Sequence, residues 1–287
     1  MPKELKEISG MVASGNNIWT ITDKPRPALY NLDSTGNLIQ TIDIKNVKVI
    51  DVEAVTADDK FVYMGDLGDN EGNRMQRQII KVSIDSIGSG KNVAVNGEVI
   101  TFDFPGDVER DKKKKNNYDC ESVLSYHDSL YVFTKERDSM RTKLFALPKT
   151  PGTFTARFID SFNTKGLVTD AAMNQSDNEV ALIGYKQAHK YPFIILFKNF
   201  AGEDFFSGKP ERIELADKPW DWQLESITYK RDDMVFFACE ATKEVDATFY
   251  GIQRDKLKKL DKKKQGDKKD KDEEEPKEIT LKGKLKK

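Results

Sequence analysis

Asp51-Val-Glu53-Ala-Val-Thr56 places one carboxylate directly before a small residue, at the head of a short apolar run. The chain repeats this three more times, as Asp119-Cys-Glu121-Ser-Val-Leu124, Val168-Thr-Asp170-Ala-Ala-Met173 and Gln223-Leu-Glu225-Ser-Ile-Thr228. Ile8-Ser9-Gly10-Met11-Val12 fits the same template with Ser9 in place of the acid. A short apolar run bounded by turn residues reads as a strand. Five copies of one strand signature indicate an internal repeat, and the repeat decides the fold.

Working outward from each copy, further strands follow at every repeat. The first unit offers 8–13, 18–22, 28–32 and 38–44, broken by Gly15-Asn16-Asn17, Pro25-Arg26-Pro27 and Ser34-Thr35-Gly36-Asn37. Such Gly, Pro and Asn clusters are turn chemistry. The second unit reads 52–56, 61–65, 78–84 and 97–104; the third 121–126, 130–134, 143–147 and 155–162; the fourth 169–173, 179–184, 193–198 and 211–215. The fifth supplies 224–229, 234–239 and 247–252, and its fourth strand is expected at Glu278-Ile-Thr-Leu281, beyond a run of Lys, Asp and Glu over 256–277. That run has too little apolar surface to order itself and is read as a disordered loop, a fraying tail being the alternative. Four-stranded units of uneven length fit the blades of a propeller better than the fixed rungs of a solenoid. The expectation is an all-β chain forming one propeller domain over 1–287, with five four-stranded blades, six being the alternative.

Composition bounds the function. The 287 residues carry 47 basic and 48 acidic side chains, a net charge of −1, with 38% apolar and 33% charged residues. Near-neutral charge argues against a global grip on nucleic acid. No apolar run is long enough to span a membrane, no signal peptide is evident, and a monomer is expected. Cys120 and Cys239 are expected to be buried free thiols.

Propeller geometry then assigns a site. Residues at the start of each first strand and the end of each second strand meet at one channel mouth. Asp51, Glu53, Asp119, Glu121, Asp170, Asp221 and Glu225 are expected to ring it from inside. Asp23, Lys24, Arg26, Asp66, Asp69, Asn70, Arg74, Lys135, Arg137, Lys186, His189 and Glu240 stand outside them, and Trp222 of Trp220-Asp-Trp222 enters at the same face. Carboxylates crowded at one opening raise each other's pKa unless something positive intervenes. A hard cation such as Ca²⁺, which takes six to eight oxygens, is one answer, with Asp51, Glu53, Asp119, Glu121, Asp170 and Glu225 as ligands. Basic residues reaching in, or backbone N–H groups of the adjacent blade, are the others. Asp23, Arg26, Asp66, Asp69, Asn70, Arg74, Lys135, Arg137, Lys186 and Trp222 are the candidate contacts to a small anionic or carbohydrate ligand, or to a protein partner.

The strings "DVEAVT…VYMGDLGDNEGNR", "LYVFTKERDSMRTKLFALPKTPGT", "GLVTDAAMN…ALIGY" and "FFSG…RIELAD…QLESITY" resemble a group of exported bacterial propellers related in style to the phytase-like esterase and SdiA-regulated families. The resemblance covers about residues 7–252 and implies a propeller and export to the periplasm, cell surface or medium, without implying a reaction. The multi-calcium acidic pattern of propeller phytases is not recognisable. Lactonase-like propellers need a placed His base, and of His127 and His189 the first falls at the opposite mouth. No nucleophile elbow, phosphate loop or Cys/His zinc spacing is present. The reading is a ligand- or partner-binding propeller with a cation-binding mouth, the alternative being a metal-dependent hydrolase of phosphoesters, esters or lactones.

Overall fold

The structure, a computed structural model, describes residues 1–105, 117–186, 190–215, 222–231, 233–243 and 245–257. It is a five-bladed β-propeller. Blade 1 comprises β1 (Ile8–Ser14), β2 (Asn17–Thr22), β3 (Ala28–Leu32) and β4 (Leu38–Ile44). Blade 2 holds β5 (Val52–Ala57), β6 (Phe61–Asp66), β7 (Arg77–Ser83) and β9 (Glu98–Asp103), with β8 (Asn92–Val95) leaving it. Blade 3 holds β10 (Cys120–Tyr126), β11 (Ser129–Thr134), β12 (Thr142–Pro148) and β14 (Arg157–Phe162), with β13 (Gly152–Thr155) leaving it. Blade 4 is β15 (Leu167–Asn174), β16 (Glu179–Tyr185), β17 (Pro192–Lys198) and β18 (Lys209–Glu214). Blade 5 shows β19 (Leu224–Arg231), β20 (Met234–Cys239) and β21 (Thr248–Gln253). The expected fourth strand at 278–281 lies outside the described residues, as does nearly all of the charged run. Its first residues are described, and 254–257 form a helical turn whose Leu257 is buried against blades 4 and 5.

The inner strands pack in the ring order β1, β5, β10, β15, β19 and back to β1. Both faces of the two inner strands of each blade are therefore covered, so these strands read as near-continuous apolar runs, while outer strands such as β4 and β9 alternate. In β17, Phe193, Ile195 and Phe197 turn toward blade 3, while Ile194 and Leu196 turn toward blade 5. Among the described residues, five apolar clusters fill the five clefts, one between each pair of neighbouring blades. The ring closes where Leu5, Met11 and Tyr30 meet Phe236. Cys120 and Cys239 are buried free thiols, as expected. No described helix is long and apolar enough to cross a membrane.

The structure corrects the strand assignment in two places. Of the expected strand at 155–162, residues 157–162 form β14, the outer strand of blade 3, while Thr155 ends a separate strand, β13, which pairs in parallel with β9 on the outer edge of blade 2. Likewise β8 pairs in parallel with β4 on the outer edge of blade 1. Each strap extends the preceding blade and covers an edge that would otherwise present unpaired N–H and C=O groups.

Candidate functional site

Every inner strand breaks register near its start. Between Val52↔Asp66 and Ala54↔Gly65, Glu53 has no partner of its own. The same interruption isolates Glu121 between Cys120 and Ser122, and Glu225 between Leu224 and Ser226. In blade 1 it falls at Ser9 and Gly10. A bulge leaves one residue unpaired and re-aims its side chain. Here it turns the acids into the channel mouth.

In blade 4 the bulged residue is Thr169, between Val168↔Gly184 and Asp170↔Ile183. Asp170 is thus equivalent to Ala54, Ser122 and Ser226, not to Glu53, Glu121 and Glu225, and the expected fourfold set of acids is corrected to three. Asp170 is fully buried, and its carboxylate accepts the Ala171 N–H and the Ile227 N–H, each at 2.8 Å, and the Met11 N–H. It joins blades 4, 5 and 1 through backbone donors. Burial pushes its pKa well up, against the pull of those three N–H groups.

The mouth encloses a cavity of about 180 Å³ to which all five blades contribute. Blade 1 gives Ser9 and Asp23, blade 2 Glu53 and Asn70, blade 3 Glu121, Lys135 and Arg137, blade 4 Tyr185, and blade 5 Gln223, Glu225 and Glu240. Asp23, Lys135 and Glu240 occupy one repeated position, just after the second strand. There each backbone N–H closes onto the residue before the first strand, on Glu7, Asp119 and Gln223 respectively. Five carboxyls thus face two cations among the described lining residues.

Those two cations are already engaged. Lys135 is buried against Glu121 by a very short contact, with its ammonium 5.2 Å from the centre of the Tyr185 ring. Burial works against the Lys135 charge, but Glu121, Tyr185 and Glu225 overcome it and hold its pKa well above the usual. Arg137 bonds Asp119 Oδ2 through Nε at 3.0 Å and Nη2 at 2.7 Å, and also reaches Asn70.

On the other side of the cavity, the carboxylate oxygens of Asp23, Asp51 and Glu53 lie within 4.8 Å of one another. The Ser9 hydroxyl lies 2.5 Å from Glu53 Oε2. Burial first, then Asp23 and Asp119, lift the Asp51 pKa to about 6. Burial, with Glu121 and Asp23, raises Glu53 well above the carboxylate range. Burial and Asp23 bring Glu240 to about 8. Gly68 makes room for this group, since a Cβ there would overlap the Asp51 carboxylate.

Of the expected contacts, Asp23, Asn70, Lys135 and Arg137 line the cavity, as do Glu53, Glu121 and Glu225. Asp51 stands behind them, and Asp119 is turned to Arg137 and to the Asp69 N–H at 2.9 Å. Asp66, Asp69 and Arg74 are not brought to the cavity but build the loop after β6. Asp66 accepts the Ile50 and Asp51 N–H groups and a two-point contact from Arg74, and Asp69 accepts the Asn73 and Arg74 N–H groups and pairs with buried Arg77. Arg26 pairs with Asp43 at 2.7 Å, Lys186 with Glu214 at 3.0 Å, and Trp222 packs 5.1 Å from Tyr250. Asp221, Trp220 and His189 lie outside the described residues. Tyr185 and Gln223 were not expected at the cavity; Tyr185 ends β16 where Lys135 follows β11, and a place at the end of a second strand was its signal in the sequence.

No protein-family model and no curated protein matches the chain, so the family resemblance has no further sequence support. Solved structures resemble it in shape. The PQQ-bound aldose sugar dehydrogenase of Streptomyces coelicolor is 11% identical, with a TM-score of 0.45 over 86% of this chain and 94% of that one. The Cps50 (Swd1) β-propeller domain of Myceliophteria thermophila is 12% identical, with a TM-score of 0.41 over 86% and 70%. A chain of a mitotic checkpoint complex is 9% identical, with a TM-score of 0.40; the match covers 83% of this chain but only 62% of that one. At such identities the likeness bears on neither ligand nor reaction.

Proposed function

We propose that the acidic mouth binds a divalent cation, Ca²⁺ by its oxygen chemistry, in a propeller that works by binding a ligand or partner at that face. The observation that carries this reading is the convergence of Asp23, Asp51 and Glu53 within 4.8 Å. Three carboxyls so close cannot all ionise alone; they must share protons or gain a cation. Lys135 and Arg137 are engaged first by Glu121 and Asp119, and although Lys135 draws on Asp23 and Arg74 on Asp51, burial and mutual repulsion still hold both carboxyls above their usual values. Arg26, Arg74 and Lys186 are likewise paired with acids, which favours a cation over an anionic ligand as the first occupant. Glu53 also has Ser9 beside it as a neutral oxygen. Export, which the family resemblance implies, suits this reading, since millimolar calcium outside the cell saturates even a weak site.

Calorimetric titration of the full chain with CaCl₂ at neutral pH tests the proposal. One site is expected, with protons released as the shared carboxyl protons leave. Asp51→Asn and Glu53→Gln together should abolish it. The absence of heat, together with an unmoved melting temperature in millimolar calcium, overturns it.

A second reading is metal-assisted hydrolysis. Its support is that Asp51 at about 6, Glu121 at about 7 and Glu240 at about 8 titrate near neutrality around one cavity, as general acids and bases do. Turnover of phosphoesters, esters or lactones that chelator suppresses would favour it over binding alone.

A further inference from the structure

On the face opposite the mouth, the hairpin turns of blades 3 and 4 and the connection from β17 to β18 border a second cavity, open to solvent and of about 410 Å³. One wall is aromatic. Phe200 is buried and Tyr126 half-buried, with the Tyr126 ring 3.9 Å from the ring of His127 and edge-on to Phe200 at 6.2 Å. The polar groups are Asp128, Ser129, Asn178 and Glu203, with the His127 imidazole beside them.

The frame is fixed before any ligand arrives. Asp204 accepts the Phe206 and Ser207 N–H groups and the Ala201 N–H donates to Ser207 Oγ, while Phe205 and Phe206 are buried, pinning the β17 to β18 connection. Glu203 is held by the Tyr131 hydroxyl at 3.2 Å and by Arg157 at 2.6 Å. His127 and Asn178 stand at φ +48° and +47°, each locked in a tight turn. A preformed wall of this kind lowers the ordering cost of binding.

The chemistry narrows the occupant. Two carboxylates and, among the described lining residues, no Lys or Arg disfavour an anion. A cation would engage Asp128 and Glu203 but could offer the Asn178 amide N–H group no acceptor. A hydroxyl both donates and accepts, so vicinal hydroxyls serve the carboxylates and the amide together. The apolar face of a sugar ring then matches the aromatic wall. The volume falls in the range of small-molecule sites. We infer that this cavity is a saccharide-binding site for one ring of a neutral glycan, separate from the acidic mouth.

Saturation-transfer NMR and calorimetry on the full chain, with methyl glycosides of glucose, galactose, mannose and xylose, test it. At least one is expected to bind. Asp128→Ala, at an exposed turn, and Asn178→Gly, which keeps the left-handed turn, should each weaken that binding about tenfold, as loss of a hydrogen bond involving a charged or buried group does. Their melting temperatures should match the wild type. The inference is overturned if no glycoside binds, if binding survives both substitutions unchanged, or if only arginine or tetramethylammonium binds, which would make the cavity a cation site.

Discussion

Asp170 Oδ2 accepts the backbone N–H of Ile227 at 2.8 Å, so a buried carboxylate of blade 4 fastens the inner strand of blade 5. Its other oxygen takes the Ala171 N–H, and the Met11 N–H arrives from blade 1. Asp170→Ala would leave buried donors without partners, and Asp170→Asn would turn an amide N–H₂ toward one of them. Each is expected to cost about 3 kcal/mol, read from urea unfolding. Glu53→Gln, by contrast, replaces a carboxyl that burial and its acidic neighbours already favour in the protonated form, and should leave the metal-free protein equal or more stable. Equal losses in the two positions would show that Asp170 and Glu53 play one role after all.

Stability should depend on pH in the direction opposite to ordinary salt-bridged acids. Asp51 titrates near 3.8 when unfolded and about 6 when folded, so between those values the native state holds a proton that the unfolded chain has released. Folding stability then falls as pH rises through that window, and is lowest above it. Glu121 at about 7 and Glu240 at about 8, both from 4.5, extend the decline toward pH 8. Metal-free protein is expected to melt at a higher temperature at pH 5 than at pH 8. Saturating calcium should flatten the profile by favouring the ionised carboxyls. A rising profile in chelator would contradict the proton-sharing picture.

The repeat and the five blades were legible because both faces of the two inner strands of each blade are buried, which writes long apolar runs between turn residues. Glu53, Glu121 and Glu225 were legible as repeat positions, but the bulges that aim them were not. Matching an acid followed by a small residue put Asp170-Ala171 in line with Glu53-Ala54, whereas the bulge in blade 4 falls on Thr169. A bulge shifts register by one residue and leaves no mark in composition. The acids of the loop after β6 look like ligand contacts in sequence, yet Asp66 and Asp69 are consumed by Arg74, Arg77 and backbone N–H groups. Charge alone does not say whether a side chain turns inward to hold a loop or outward to meet a ligand. The straps β8 and β13 were missed or misassigned because a four-residue strand carries no local sign of which sheet it joins.

Lys135 is the positive charge between Glu121 and Glu225, and both it and Glu121 are almost wholly buried. Lys135→Met keeps the volume and leaves Glu121 buried without its partner. A loss of about 3–5 kcal/mol is expected at pH 8, where removal of one member of a buried pair exposes the other. The loss should shrink at pH 5, where Glu121 takes a proton. Adding Glu121→Gln to Lys135→Met should restore most of the stability, and a double-mutant cycle by urea unfolding measures the coupling. Additive losses would mean that the two side chains do not act as a pair.

Gly68 links the loop after β6 to the acidic cluster. Its N–H donates to the Asp51 carbonyl at 3.2 Å, and the space where a Cβ would stand is filled by the Asp51 carboxylate. Gly68→Ala therefore forces the carboxylate away from Asp23 and Glu53 or moves the loop. A cost of about 1–3 kcal/mol is expected from the overpacking. Because the carboxylate is displaced rather than removed, calcium affinity should fall while the ring of blades stays intact by circular dichroism. Asp51→Ala in the Gly68→Ala background relieves the clash, so it should recover stability without recovering calcium binding. If Gly68→Ala lowers stability but calcium binds as in the wild type, Asp51 is not a ligand and the cation is held by other oxygens of the mouth.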